Sequence, residues 1–134
     1  MTGPVDPGAV PAIDVREAAR RLDGAPDLRP GALLVDVREL GEVVAGRADS
    51  AVLLPLSTFG ARFRELPTDR PLLIVCQSGY RSALAAAYLA ANGYPDAVNV
   101  AGGMTAWERA GLPVRRGQLA PNEGDLSELR SEQP

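Results

Sequence analysis

Between residues 12 and 114, short apolar runs bounded by turn residues alternate with segments whose apolar positions recur at helical spacing. That alternation is the pattern of parallel strands joined by helical crossovers. The apolar runs predict strands at 33–37, 52–54, 72–75 and 97–100, the second being the shortest. A first helix is expected from Asp14, whose side chain can cap it while Glu17, three residues on, completes a capping box, with a stop near Gly24. A second covers 39–44. In a third, Ser57 is placed to cap a segment whose Phe59, Phe63 and Leu66 share one face, and Pro67 ends it. The fourth, 82–92, is dense in alanine, which lets its backbone lie close on a sheet, and Gly93 supplies a left-handed stop. A short fifth, 104–110, ends at Gly111.

The two ends break this pattern. Residues 1–11 hold three prolines and two glycines, and residues 115–134 are polar without an apolar period. Both read as loose tails, leaving a working domain of 12–114. No internal repeat or low-complexity segment is present.

Composition narrows the function classes. A chain of 134 residues, 46% apolar and 23% charged, has the size and balance of one soluble globular domain. The net charge is only -3 and the 14 basic residues, all arginine, are spread along the chain, so nucleic acid is not an expected partner. No apolar stretch approaches the roughly 18 residues of a membrane span, and residues 1–11 carry neither a basic segment nor an apolar run. A cytoplasmic location is the default expectation. The one cysteine cannot form an internal disulfide, which agrees with a reducing compartment. Histidine is absent, which removes the usual general base and the commonest metal ligand, so no metal site is expected.

The remaining chemistry converges on Cys76. It follows the 72–75 strand and is succeeded by Gln77, Ser78, Gly79, Tyr80, Arg81 and Ser82. Open α/β sheets bind ligands outside the carboxyl ends of their strands. A short loop there turns backbone N–H groups inward, and the following helix adds the positive end of its dipole. Gly79 allows backbone angles that other residues resist, and Arg81 adds a permanent positive charge. A free thiol titrates near about 8.5, and such surroundings can lower that to ~7 or below. A two-unit shift requires only about 2.7 kcal/mol, within reach of several aimed N–H groups. The same ring would hold a persulfide anion, Cys–S–S⁻. A lone cysteine is otherwise a small buried hydrophobe, and it is the ordered strand, glycine, arginine and helix start that favour the reactive reading.

The run Cys76-Gln77-Ser78-Gly79-Tyr80-Arg81-Ser82 resembles the C-x-x-G-x-R-S active-site loop of single-domain rhodaneses. Leu34-Val35-Asp36-Val37-Arg38-Glu39 resembles the family's first diagnostic strand. Val100-Ala101-Gly102-Gly103-Met104-Thr105-Ala106-Trp107, with Ala110-Gly111-Leu112-Pro113-Val114, resembles its closing segment. The likeness runs from about Ile13 to Val114 in the family's order and spacing. It implies an α/β fold with a central, mostly parallel five-stranded sheet and helices on both faces. It also implies thiosulfate or another sulfane-sulfur compound as donor, a thiol (small, or carried by a protein) or cyanide as acceptor, and no cofactor. By the same resemblance Cys76 forms the persulfide, and Gln77, Ser78, Gly79, Tyr80, Arg81 and Ser82 supply the substrate-binding loop. There is one departure: where the family reads G-H-I-P-G-A, this chain has Gly46-Arg47-Ala48-Asp49-Ser50-Ala51. The missing histidine puts local packing and acceptor docking in question more than the chemistry.

Asp36 and Arg38, at a strand's carboxyl end, either border the pocket, pair with Arg81, or form an ordinary structural ion pair; Glu42 is a further candidate partner. Trp107 and the Gly102-Gly103 turn read as packing and backbone-angle devices. Tyr80 either tunes substrate choice at the rim or faces solvent. Two rival functions stand beside sulfur transfer. A C-x5-R phosphatase or arsenate reductase needs five residues between cysteine and arginine, whereas Cys76 and Arg81 are separated by four. A resolving second cysteine is absent. A non-catalytic binding module on the same fold is the other rival, and the presence of both Cys76 and Arg81 argues against it.

Overall fold

Five parallel strands form one sheet in the computed structural model, which describes residues 6–23 and 31–126. The strands are β1 (Ala12–Ile13), β2 (Leu33–Asp36), β3 (Val52–Leu53), β4 (Leu72–Val75) and β5 (Ala97–Val100), in the spatial order β1-β5-β4-β2-β3. The α-helices are α1 (Val15–Leu22), α2 (Leu40–Ala45), α3 (Leu56–Arg62), α4 (Tyr80–Ala91) and α5 (Gly103–Arg109). Every residue of β2, β4 and β5 is buried, the polar Asp36 and Asn99 included, because helices cover both faces of the parallel sheet. Alternation sorts the side chains. Leu33, Val35, Leu72 and Ile74 pack with Phe59, Phe63, Ala86 and Leu89 from α3, its continuation and α4. Leu34, Leu73, Val75 and Val98 pack on the other side with Val15, Ala18, Met104 and Trp107 from α1 and α5. The five-stranded α/β architecture expected from the resemblance is thus present, and it is parallel throughout.

Several element ends differ from expectation for identifiable reasons. β1 was not foreseen, because two residues carry no pattern; it exists through the Asn99 and Ala101 N–H groups, which donate to the Pro11 and Ile13 carbonyls. Asp14 caps α1 by accepting the Glu17 N–H at 2.8 Å, but the Glu17 carboxylate turns to Arg20 and Arg21. Gly24, the expected stop, lies outside the described residues. Ser57 does not cap α3, which starts at Leu56. Its hydroxyl and N–H instead donate to Glu39 at 2.8 and 3.2 Å. α3 tightens into a 3-10 turn, Phe63–Glu65, that keeps Phe59, Phe63 and Leu66 buried together. α4 starts at Tyr80 rather than Ser82, because Gly79, at φ 105°, already turns the chain into the helix.

The expected loose ends are packed wherever they are described. Pro7–Ala9 forms a 3-10 turn, and Val10 packs on the core. Residues 115–126 run back over the domain: the Leu53 N–H donates to the Gly124 carbonyl at 2.8 Å, pairing the outer edge of β3, and Leu126 is 1% exposed. Arg47, at the departure from the family pattern, organises this segment. Its buried guanidinium donates to Glu123 at 2.7 and 3.1 Å and to the Gly117 carbonyl at 2.7 Å. Its main chain exchanges two hydrogen bonds with Arg115. The segment carries no apolar period because Leu126 is its one fully buried apolar anchor among the described residues; backbone bonds and ion pairs to Arg47, Asp49 and Glu108 do the rest.

Arg47 is buried and Glu123 part-buried, so losing their charge-assisted bonds costs about 2 kcal/mol. Arg47→Ala should therefore lower unfolding free energy by roughly that amount in urea titrations and open the chain to limited proteolysis between residues 115 and 126. Unchanged stability and protease resistance would remove Arg47 from this role.

Candidate active site

β4 lies between β5 and β2, so Cys76 leaves the sheet at its centre. The loop that follows is shaped by α5. The Met104 N–H donates to the Cys76 carbonyl at 2.8 Å, and the Thr105 N–H donates to the Gln77 carbonyl at 3.0 Å. Because a trans peptide points its carbonyl and N–H in opposite directions, anchoring the Gln77 oxygen on α5 turns the Ser78 amide of the same peptide back toward the sulfur. The close approach demands glycine: at Gly103 (φ 58°) a Cβ would collide with the Cys76 and Gln77 carbonyl oxygens.

Polar hydrogens converge on the Cys76 Sγ. The Gly79 N–H donates to it at 3.1 Å, and the Ser82 hydroxyl lies at 3.2 Å. The Ser78 and Ser82 amides contribute as well. Asn99 on β5 supports this set from below: its Oδ1 accepts from the Ser82 hydroxyl at 2.6 Å, and its Nδ2 donates to the Gly79 carbonyl at 3.2 Å. Burial is the largest single influence on the thiol and pushes its pKa up. The Ser82 hydroxyl and the Ser82, Gly79 and Ser78 amides, acting together, outweigh it, so Cys76 titrates below the ordinary cysteine value. The cysteine is buried, but not as an inert hydrophobe.

The charged residues are matched in pairs. Both ends of the Arg81 fork donate to Glu42, at 2.8 and 2.6 Å. That hydrogen bond holds the Glu42 carboxyl at about 2 and pushes Arg81 further up, with smaller contributions to Arg81 from the nearby Cys76 and Asp36. Asp36 and Arg38 pair with each other at 2.8 Å and are buried beneath the loop rather than at its rim. Arg38 also donates to the Gln77 Oε1 at 3.1 Å, while the Gln77 Nε2 donates to Thr105 Oγ1 at 3.0 Å. The Gln77 side chain is therefore a brace across the loop. Ser78 is exposed, and Tyr80 is 66% exposed and faces solvent. Of the expected loop residues, Ser78, Gly79 and Ser82 turn donors to the sulfur, while Gln77 and Arg81 are engaged elsewhere. Sequence reasoning missed Asn99 and Thr105. A polar residue inside the apolar run 97–100 was a signal for Asn99; Thr105 offered none.

A family model for the rhodanese-like domain matches residues 14–110, which spans β2 to β5, the loop and α5. The chain belongs to the rhodanese-like family. Among curated relatives of this rhodanese-like chain, a sulfurtransferase of Allochromatium vinosum is 40% identical over 102 residues, covering 76% of this chain and 92% of the relative. The thiosulfate sulfurtransferase GlpE of Actinobacillus succinogenes is 36% identical over 83 residues, covering 62% of this chain and 75% of that one. Among solved structures, a rhodanese-related protein of Thermoplasma volcanium superposes with a TM-score of 0.70 at 26% identity, covering 78% of this chain and 97% of that one. A rhodanese-like domain protein of Staphylococcus aureus gives 0.63 at 37%, covering 72% and 90%. These likenesses make the protein a member of a sulfurtransferase family.

The hydrogen-bond set has a direct pH signature. Donors to a thiolate favour the charged form, so Ser82→Ala should raise the Cys76 pKa. The midpoint of the pH profile for alkylation by a small iodoacetamide-type reagent would then move upward and reactivity near neutrality would fall, on the order of tenfold for a one-unit shift. A midpoint unmoved, or moved downward, contradicts the role given to the hydroxyl.

Proposed function

We propose that the protein carries sulfane sulfur on Cys76, taking it from a small donor and giving it to a thiol or cyanide. The observation that carries this reading is the convergence of three amides and a hydroxyl on the sulfur of a single buried cysteine. In the first step the Cys76 thiolate attacks the outer sulfur of the donor. The Sγ–S bond forms, the donor's S–S bond breaks, and its electron pair leaves on sulfite or on a thiol. The product is Cys76–S–S⁻, whose charge the same donors can hold. In the second step an acceptor attacks the outer sulfur, and Sγ departs with the bonding electrons as thiolate. Neither step requires a side-chain base, since no proton has to be removed from the attacking thiolate.

The four-residue interval from Cys76 to Arg81 supports sulfur transfer over phosphoryl transfer, because a loop wrapped around one sulfur leaves no ring for a tetrahedral phosphoryl group. The donors aimed at Sγ favour it over a binding module, which has no need of a stabilised thiolate. Among the described residues no helix is long and apolar enough to cross a membrane, and a thiol acceptor suits a reducing compartment.

Treating the protein with thiosulfate or an alkyl persulfide and weighing it intact should reveal the gain of one sulfur mass. Peptide mapping should place it on Cys76, and cyanide should remove it. Cys76→Ser should show no gain while melting at the wild-type temperature. If neither donor loads sulfur, or Cys76→Ser turns over normally, the assignment fails.

A further inference from the structure

Resting on the sulfur-carrier reading above, we propose that Glu42 is a specificity-determining residue that turns the site away from dianionic donors such as thiosulfate and toward persulfides, R–S–SH or R–S–S⁻. The argument is one of charge. Two guanidiniums are attached to the Cys76 loop, and both are already matched. Arg38 is spent on Asp36, the Gly46 and Glu42 carbonyls and the Gln77 side chain. Arg81 gives both ends of its fork to Glu42. Glu42 is itself held in place: its Oε1 also accepts the Glu39 N–H at 3.2 Å, so it is the inward-facing member of the capping box of α2. Its carboxylate is therefore a fixed occupant of the position an anionic headgroup would otherwise take. What remains around Sγ is a set of neutral donors, sufficient for one negative charge.

The two donor classes load that set differently. Thiosulfate and the Cys76 thiolate bring three negative charges together, and they depart as Cys76–S–S⁻ and SO₃²⁻. A protonated persulfide brings none beyond the thiolate's own: Cys–S⁻ and R–S–SH give Cys–S–S⁻ and R–SH, the proton passing to the departing thiolate. An ionised persulfide adds one. Arg81 is the group able to offset a sulfonate, and Glu42 cancels it.

The test is a quenched-flow measurement of sulfur loading on Cys76, read by intact mass, with thiosulfate and with 2-hydroxyethyl persulfide generated in situ, whose tail is uncharged. Wild type should load faster from the persulfide. Glu42→Gln keeps a side-chain acceptor at the capping-box position but frees the Arg81 charge. It should raise the thiosulfate loading rate about tenfold, more steeply at low ionic strength, and change the persulfide rate less than about threefold. The double variant Glu42→Gln with Arg81→Ala should lose that gain. An unchanged thiosulfate rate, an equal rise for both donors, or a gain that survives in the double variant overturns the role of Glu42 and leaves the sulfur-carrier reading standing. Failure of wild type to load from either donor sinks that reading and this inference with it.

Discussion

Everything chemical in this protein depends on where the loop after β4 sends its carbonyl oxygens. Left to themselves, the peptides after Cys76 could point either way. The first N–H groups of α5 need acceptors, and they find them in the Cys76 and Gln77 carbonyls, so one requirement of helix ends is met by the loop's own backbone. The consequence lies on the opposite edge of the Gln77–Ser78 peptide, where the Ser78 amide is turned toward sulfur, while the turn at Gly79 and the start of α4 aim the Gly79 and Ser82 amides. Gly103 permits the approach and Gly79 permits the turn. The anion site is thus built from backbone that two helices, α4 and α5, hold from either side, and its precision comes from the sheet that positions both.

That dependence explains which parts were legible in the sequence. β4 was read with its observed limits because a strand buried on both faces is an unbroken apolar run, and β5 because Asn99 alone interrupts its apolar residues. The Cys76 loop was legible because strand, glycine, arginine and helix follow one another directly. β1 was not, since two residues leave no period. The start of α4 was misplaced by two residues because serine is the usual capping residue and Gly79 acts instead through its positive φ. Asn99 and Thr105 escaped notice because their roles arise across the sheet and between loop and helix. No local pattern encodes a partner 17 or 28 residues away.

The Arg47 position shows how a departure from a family pattern can be absorbed elsewhere in the chain. An arginine buried in place of a smaller ring must satisfy a full guanidinium, and only main-chain oxygens and a carboxylate can do so. Residues 115–126 bring both, the Gly117 carbonyl and Glu123. A polar, aperiodic stretch looked like a tail because its packing is specified by hydrogen bonds instead of apolar area. The same stretch covers the free edge of β3, so it serves the sheet that carries the active-site loop.

The absence of histidine has a similar logic at the sulfur itself. Burial raises the thiol's pKa and must be overcome by groups that hold the charged form. The Ser82 hydroxyl has a single proton and two claimants, Sγ at 3.2 Å and Asn99 Oδ1 at 2.6 Å, so its help to the thiolate competes with its bond to Asn99. The amides have no such freedom: they belong to backbone that the turn at Gly79, the first turn of α4 and the bonds to α5 hold in place. A site that relied on the hydroxyl alone would be soft, whereas fixed amides cost no reorganisation when charge appears on sulfur. Asn99 therefore acts less by contact with the anion than by holding both Ser82 and the Gly79 carbonyl, so that the rotatable donor and the fixed ones remain aimed at one point.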